Sequence, residues 1–197
     1  MNRTREQLIE AVQMQMPAAR WQHTQGVMTT AVQLAKKYGA DPDKADLAAI
    51  LHDVAKYWRT DRMERMIREH HMPSELLEHD KQLWHAPVGA YVAEHEYGIE
   101  DVEILDAIRY HTSGREKMTL LDKVVCLADY IEPGRDFPGV EHIRVLAEQN
   151  LNAALIAGFD STISFLIERR RRIFPLTISA RNGLLAELEA ELEQQAD

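Results

Sequence analysis

Apolar residues recur every three or four positions along most of this chain, which is the pattern of amphipathic helices. Strict alternation of apolar and polar residues, which would indicate strands, forms no convincing segment. The pattern predicts an all-α fold, a single helical bundle. After a short first helix, the predicted helices cover roughly residues 18–38, 42–53, 61–70, 74–80, 84–97, 101–111, 119–131, 140–148, 151–173 and 179–195.

Capping residues mark several of these helix ends. Thr4 and Gln7 have the spacing of a capping box at the start of the first helix. Gly39 is expected to end the second helix, because glycine readily adopts the left-handed conformation that follows a helix. Asp41 and Pro42 are an N-cap and a first-turn proline, and they predict that a third helix begins there.

Length and composition limit the class of protein. The 197 residues fit one domain with one core, which we assign to residues 1–197. The net charge of −9 argues against a nucleic-acid partner, because a phosphate backbone demands excess Lys and Arg. The single cysteine, Cys126, lies in an apolar run and is predicted to be a buried structural thiol.

No apolar stretch approaches the roughly 20 residues that span a bilayer, and no signal peptide is visible, so we expect a soluble cytoplasmic protein without a membrane partner. An apolar stripe near the C-terminus is expected to pack within the chain, with a homodimer contact as the alternative. Its members are Leu184, Leu185, Leu188 and Leu192.

Histidines and aspartates occur within or at the ends of apolar helical segments. Burying an ionised carboxylate is costly unless it is paired or binds a metal. A helical bundle builds an interior metal site by taking one or two ligands from each of several helices. The candidate ligands are His23, His52, Asp53, His85, His111 and Asp129.

The ligand types restrict the metal. Imidazole and carboxylate ligands without sulfur favour iron, manganese, zinc or cobalt. Six ligands are many for one catalytic ion that must keep an open position, so two ions bridged by a carboxylate use them more naturally.

An isolated histidine beside an apolar face is more often a partly buried side chain than a ligand, so His23 or His85 alone would not indicate a metal. The five other histidines lie in charged or turn contexts and are predicted to be at the surface. They are His70, His71, His79, His95 and His142.

The ligand positions carry a family resemblance. His23, His52-Asp53 and Asp129 resemble the H…HD…D signature of the HD-domain metal-dependent phosphohydrolases. Longer stretches are similar to the bacterial YqeK family over about residues 18–185. These stretches are LHDVAK at 51–56, HTSG at 111–114, LDK at 121–123, ADYIEPGR at 128–135 and FPGV at 137–140.

The YqeK family contains symmetrical bis(5′-nucleosyl)-tetraphosphatases that bind iron. The resemblance therefore implies hydrolysis of a dinucleoside polyphosphate, with diadenosine tetraphosphate giving two ADP and metal-activated water as the nucleophile. It implies an HD-type metal core at about residues 18–140 and C-terminal helices at about 141–197. In the implied site two ions, iron first among the candidates, are bridged by Asp53. One is held with His23, His52 and Asp129, and the other with His85 and His111.

Several residues are predicted to bind the nucleotide substrate. Lys56 follows Asp53 by three positions and is expected to lie on the same side, where it would assist catalysis by contacting phosphate or the leaving group. The alternative is a solvated lysine. Arg135 follows the ligand Asp129 and is predicted to bind phosphate. The remaining predicted substrate contacts are Arg20, Thr112, Phe137, Gly139 and Val140, with backbone N–H groups of the loop 132–139 as phosphate donors.

The basic run Arg169–Arg172 could be a nucleic-acid patch or a solvated segment. It is expected to be helical, solvated and ion-paired, which argues against a nucleic-acid patch.

The function of the metal core also has alternatives. The same metal core would serve a phosphohydrolase for mononucleotides or for cyclic or signalling nucleotides. A protein of another class, a nucleotide sensor or a ribosome-assembly module without turnover, would use it only for binding.

Overall fold

The computed structural model describes residues 3–196, and this part of the chain is all-α, as predicted, with ten α-helices and no strand. Two short 3₁₀ helices, Ser74–Glu78 and Lys81–Leu83, lie between α4 and α5. The α-helices are α1 (Arg5–Gln13), α2 (Ala18–Tyr38), α3 (Pro42–Leu51), α4 (Thr60–Glu69), α5 (His85–His95), α6 (Val102–Tyr110), α7 (Leu120–Ile131), α8 (Val140–Ala147), α9 (Leu151–Glu168) and α10 (Pro175–Ala196).

The predicted caps are confirmed. The Thr4 hydroxyl accepts from the Gln7 backbone N–H, and the Gln7 side chain accepts from the Thr4 N–H, which completes the capping box. Gly39 ends α2 in the left-handed conformation at φ 84°. The Asp41 side chain accepts from two backbone N–H groups in the first turn of α3.

Helix α7 lies at the centre of the bundle. It packs against α2, α3, α6, α8 and α9, and α5 packs against α6. One apolar core runs from Leu8 on α1 to Leu184 on α10, and Phe159, Leu127 and Ile108 are fully buried in it. The C-terminal helices therefore share the core of the helices that carry the predicted ligands.

The end of α9 differs from the prediction. The helix stops at Glu168, and the expected helical run Arg169–Arg172 is wrong, because Arg170 turns the backbone to φ 52°. Arg171 instead pairs with Asp80 at 2.6 Å, and Arg172 donates to the Glu78 carbonyl at 3.2 Å. The run is exposed and ion-paired, as expected, but the pairs join it to the 3₁₀ segment.

Helix α9 is long and apolar enough to cross a membrane by length and composition alone, with a mean hydropathy of 1.3 over 18 residues. Such a helix is also found in the core of soluble proteins. The first half of α9 is buried here against α7, α8 and α10, so this single helix is weak evidence for a membrane span.

Two further side-chain predictions can be compared with the structure. Cys126 is free and fully buried, and burial raises the pKa of its thiol well above the usual range. A buried, protonated thiol is what the prediction of a structural cysteine requires. In the apolar stripe of α10, Leu184 is buried, and Leu185 and Leu188 pack against the core. Leu192 is 58% exposed. Most of the stripe therefore packs within the chain.

Gly183 brings α10 into direct contact with the loop that follows α6. A Cβ atom at this position would lie 2.0 Å from the Glu116 carbonyl oxygen, so Gly183→Ala must displace the helix or the loop. We expect a loss of about 1–3 kcal/mol in the free energy of unfolding, measured with urea, which exceeds the roughly 1 kcal/mol gain in helix propensity. The exposed Leu192→Ala control should change it by less than about 0.5 kcal/mol. Equal stability of both variants would contradict this packing argument.

Candidate metal centre and substrate cavity

The six predicted ligands meet at one place in the bundle, and most of them lie at helix ends. His52 and His111 are the C-terminal caps of α3 and α6, and His85 is the first residue of α5. Asp129 lies in the last turn of α7. His23, on α2, reaches the cluster from the side.

Asp53 occupies the middle of the cluster. Its Oδ2 lies 3.1 Å from His52 Nε2 and 3.8 Å from His23 Nε2. Its Oδ1 lies 3.1 Å from His85 Nε2 and 3.9 Å from His111 Nε2. Each oxygen of this carboxylate therefore faces a different pair of imidazoles.

The imidazole rings are oriented by bonds on their far side. His52 Nδ1 donates to the Ala49 carbonyl at 2.6 Å, and His111 Nδ1 donates to the Ile108 carbonyl at 2.8 Å. These bonds place the proton on Nδ1 and leave the Nε2 lone pair aimed at the cluster. A metal-binding histidine is usually held in this way.

The polar atoms at the centre converge closely, with 3.1 Å between His85 Nε2 and His111 Nε2 and 3.0 Å between His23 Nε2 and Asp129 Oδ1. His23 Nε2, His52 Nε2 and both Asp53 oxygens are buried, and none makes a well-aligned hydrogen bond among the described residues, although Asp53 Oδ2 is ion-paired with Arg20. Two sets of donor atoms each lie within 4.8 Å of one another, and they are His23, His52 and Asp129, and His52, Asp53 and His111. Buried polar atoms without partners are expensive, so this arrangement fits metal ions that would complete their coordination.

Burial and neighbouring charges set the protonation of the cluster. Burial, together with the charges of His85 and His52, holds the pKa of His111 well below its usual range, and burial lowers the pKa of His85. Burial opposes ionisation of Asp53, but the neighbouring charge of His52 outweighs it and holds the Asp53 pKa well below its usual range. The Asp53 charge in turn outweighs burial at His52 and raises the pKa of that imidazole. Neutral His85 and His111 beside an ionised Asp53 have the forms that bind a metal, and a metal on His52 would displace its proton.

Glu132 is a functional candidate that the sequence analysis missed. It is 3% exposed, and its Oε1 accepts from His23 Nδ1 at 2.9 Å. Its Oε2 accepts from the Gly134 N–H at 2.6 Å and lies only 2.4 Å from where a Cβ atom on Gly26 would be. The sequence signals for Glu132 were its position directly after α7 and its place in the family stretch 128–135.

The predicted cations also lie beside the ligands. Arg20 pairs with Asp53, and Arg135 pairs with the Asp129 carboxylate and donates to its carbonyl at 2.6 Å. Lys56 is held on the side of Asp53 by a turn and not by a continuing helix, since its N–H donates to the Asp53 carbonyl at 2.9 Å. Burial lowers the pKa of the Lys56 ammonium.

A cavity of about 790 Å³ opens beside the cluster. The metal-ligand candidates His111 and Asp129 line it, and so do four predicted substrate contacts, Lys56, Thr112, Arg135 and Phe137.

The other three predicted substrate contacts do not line this cavity, so their contact with substrate stays a prediction. Arg20 is turned to Asp53, Val140 is buried in the core, and Gly139 begins α8 at φ 95°. In the loop 132–139, the N–H groups of Gly134 and Arg135 donate within the loop, to Glu132, so they are not free for phosphate.

The histidines predicted to be at the surface lie outside the cluster. Four of them are exposed and His79 is partly buried. His70 and His95 stack on the two sides of Tyr91, with ring centroids 4.0 and 3.9 Å away.

A bundle that gathers four histidines and two aspartates where its helices meet defines an HD-domain protein. The HD domain family matches residues 20–134.

Relatives extend the match beyond that core. The chain is 50% identical to the symmetrical bis(5′-nucleosyl)-tetraphosphatase of Bacillus subtilis (strain 168), over 92% of this chain and 98% of the relative. It is 40% identical to the protein of the same name from Staphylococcus aureus (strain NCTC 8325 / PS 47), over 85% of this chain and 87% of the relative. A crystal structure of a predicted HD superfamily hydrolase involved in NAD metabolism from Clostridium acetobutylicum superposes with a TM-score of 0.90 at 35% identity, covering 95% of this chain and all of that one.

The chain therefore belongs to the HD-domain family and, within it, to the family of the symmetrical bis(5′-nucleosyl)-tetraphosphatases. The resemblance drawn from the sequence motifs is confirmed.

Proposed function

We propose that this protein hydrolyses dinucleoside tetraphosphates at the middle of the phosphate chain, with diadenosine tetraphosphate giving two ADP. The names of its relatives support the reaction. The observation that carries the chemistry is the central carboxylate of Asp53, whose two oxygens each face a pair of imidazoles.

This arrangement supports two metal sites that share Asp53. One would use His23, His52 and Asp129 in addition, and the other His85 and His111. Iron is our first choice, and manganese, cobalt and zinc also suit these ligands. When bound, a pair of such ions lowers the pKa of water and stabilises charge on phosphate oxygens.

The protein's own residues position the substrate. Lys56 and Arg135 line the cavity beside the ligand candidates and supply positive charge for the phosphate chain in a protein of net charge −9. Thr112, next to His111, supplies a hydroxyl for a phosphate oxygen. Held between these groups, the scissile bond lies next to the metal sites while the two nucleosides point away from them.

Product analysis tests the proposed reaction. Protein reconstituted without oxygen with iron(II), or with manganese or cobalt, is incubated with diadenosine tetraphosphate in oxygen-18 water. We expect ADP as the sole nucleotide product, with one ADP of each pair carrying the label. ATP plus AMP would show asymmetric cleavage and overturn the proposal. Turnover of mononucleotides or cyclic nucleotides alone would favour the related phosphohydrolases, and metal binding without turnover would favour a nucleotide-binding module.

Removing Arg135 should weaken nucleotide binding. A charge-assisted contact is worth about 1.5–3 kcal/mol, so Arg135→Ala should lower ADP affinity by roughly one to two decades. Metal content should stay at the wild-type level, because Asp129 keeps its 3.0 Å contact with His23. Calorimetry and elemental analysis measure the two quantities, and the exposed Arg65→Ala is the control. Unchanged ADP affinity would remove Arg135 from the substrate site.

Removing Glu132 should weaken metal binding through His23. A side chain that orients a ligand histidine typically contributes about 10–100-fold to metal affinity, so Glu132→Ala should lose that factor in a metal titration. Glu132→Gln should lose less, because its amide oxygen still accepts from His23 Nδ1. Glu148→Gln, whose side chain is 79% exposed, is the matched control and should behave as wild type. A wild-type metal affinity in Glu132→Ala would exclude this role.

A further inference from the structure

The cavity continues beyond the residues that the proposed reaction uses. Its lining includes Gln82, Phe165 and Arg171. These residues belong to the second 3₁₀ helix, to the end of α9 and to the segment after α9, none of which contributes a predicted metal ligand. We call the part of the cavity that these three residues line the outer region. At about 790 Å³ the whole cavity lies in the upper part of the range of small-molecule sites.

Phe165 gives the outer region an aromatic surface. Its side chain is 50% exposed, and the Arg169 guanidinium lies 5.5 Å from the ring centroid. A nucleic-acid base stacks well on an aromatic ring or on a guanidinium plane, and the contact is independent of base identity. Gln82 adds an amide for the polar edge of a base.

The charges of the outer region disfavour a second phosphate group. Arg171 is already paired with Asp80 at 2.6 Å, Arg172 lies 3.7 Å from a Glu78 carboxylate oxygen, and Glu168 also lines the cavity. The cations beside the metal-ligand candidates are Lys56 and Arg135, and they lie at the inner end of the cavity, where Arg135 also pairs with Asp129. An uncharged group with an aromatic face therefore suits the outer region.

The wall of the outer region is stabilised by contacts within the protein and does not depend on a ligand. The Arg171–Asp80 pair joins positions 91 residues apart, and Arg172 donates to the Glu78 carbonyl. The His79 ring meets Phe174 edge-on, with centroids 5.1 Å apart. A preformed wall lowers the ordering cost of binding.

We propose that the outer region binds the nucleoside of the second half of the dinucleotide substrate, with Phe165 as the surface on which its base stacks. The inner end, near Phe137, takes the first half, and the phosphate chain runs between them past Lys56 and Arg135. This assignment rests on the proposed function, because only a substrate with two nucleosides requires both regions.

Phe165→Ala in the metal-loaded protein tests the proposal. We expect kcat/KM for diadenosine tetraphosphate to fall about tenfold, because stacking of one base is lost. The inhibition constant of ADP, which occupies the inner end alone, should stay within about twofold of wild type. Ile167→Ala is the control, since Ile167 is 61% exposed on the same helix but does not line the cavity.

An unchanged kcat/KM in Phe165→Ala would overturn the proposal, and so would a rise of the ADP inhibition constant by the same factor as the loss in kcat/KM. Failure of the proposed function is a separate result, since the wild type would then not cleave the dinucleotide at all. In that case calorimetry with the same two ligands decides. The assignment of the outer region is supported if Phe165→Ala binds the dinucleotide about tenfold more weakly than wild type and binds ADP equally well. Any other result overturns it.

Discussion

Asp53→Ala will lose both bound metal and hydrolysis. Among the described residues its carboxylate is the one that lies within 3.1–3.9 Å of all four imidazoles of the cluster, so none of its described neighbours replaces it. A metal pair supplies several kcal/mol to phosphate transfer, and each 1.36 kcal/mol is tenfold in rate, so we expect a loss of at least about three decades. Elemental analysis and ADP release measure the two effects.

The Asp53 result needs a control for folding. Removing the carboxylate also leaves Arg20 without its buried partner, which is expected to cost stability. Asp53→Asn keeps the size of the side chain, and circular dichroism checks that each variant is folded. Asp61→Ala, an exposed carboxylate paired with Arg59, should leave metal and rate unchanged.

The histidines extend the same prediction. His85→Ala and His111→Ala should mainly empty the second site, whereas the exposed His95→Ala and His142→Ala should be nearly silent. Loss of metal from His95→Ala together with full metal and rate in His85→Ala would show that the ligands are wrongly assigned.

Lys56→Met will lose turnover while keeping metal. The ammonium lines the cavity beside the ligand cluster, where it would stabilise charge that develops on phosphate in the transition state. Losing one preorganised donor of this kind typically costs about 10²–10³ in kcat. Because Lys56 is not among the proposed ligands, the metal content should equal that of wild type. Steady-state kinetics and elemental analysis measure both quantities.

Lys36→Met is the matched control, since Lys36 is an exposed lysine on α2. It should keep both rate and metal. A Lys56→Met variant with the wild-type kcat would reduce Lys56 to a solvated lysine near the site.

Features set by neighbouring residues were predictable from the sequence. Thr4, Gly39 and Asp41 act on backbone groups within a few positions of themselves, so their roles can be inferred from local spacing. The six candidate ligands, which the structure brings together, could be selected as a set because their motifs resemble a known family. Spacing alone left each histidine open to a simpler explanation.

Features set by distant contacts were not predictable. Helix α9 ends at Glu168 although the sequence has no capping signal there, and Arg170 adopts a conformation that usually favours glycine. The partners of Arg171 and Arg172 lie more than 90 positions away. Glu132 contacts His23 across 109 positions, and no periodicity in the chain indicates that pair.

The proposed ligands are distributed among five helical segments, so a bound metal would cross-link the fold. A ligand that binds only the native state stabilises it by RT ln(1 + [L]/Kd), or about 4.1 kcal/mol at a thousandfold excess over Kd. The melting temperature should therefore rise with the concentration of free metal and fall on chelation, even in a variant that cannot turn over, such as Lys56→Met. The melting temperature of a variant that lacks a true ligand should rise less with added metal. Thermal shifts can therefore be used to identify the ligands without any assay of the reaction.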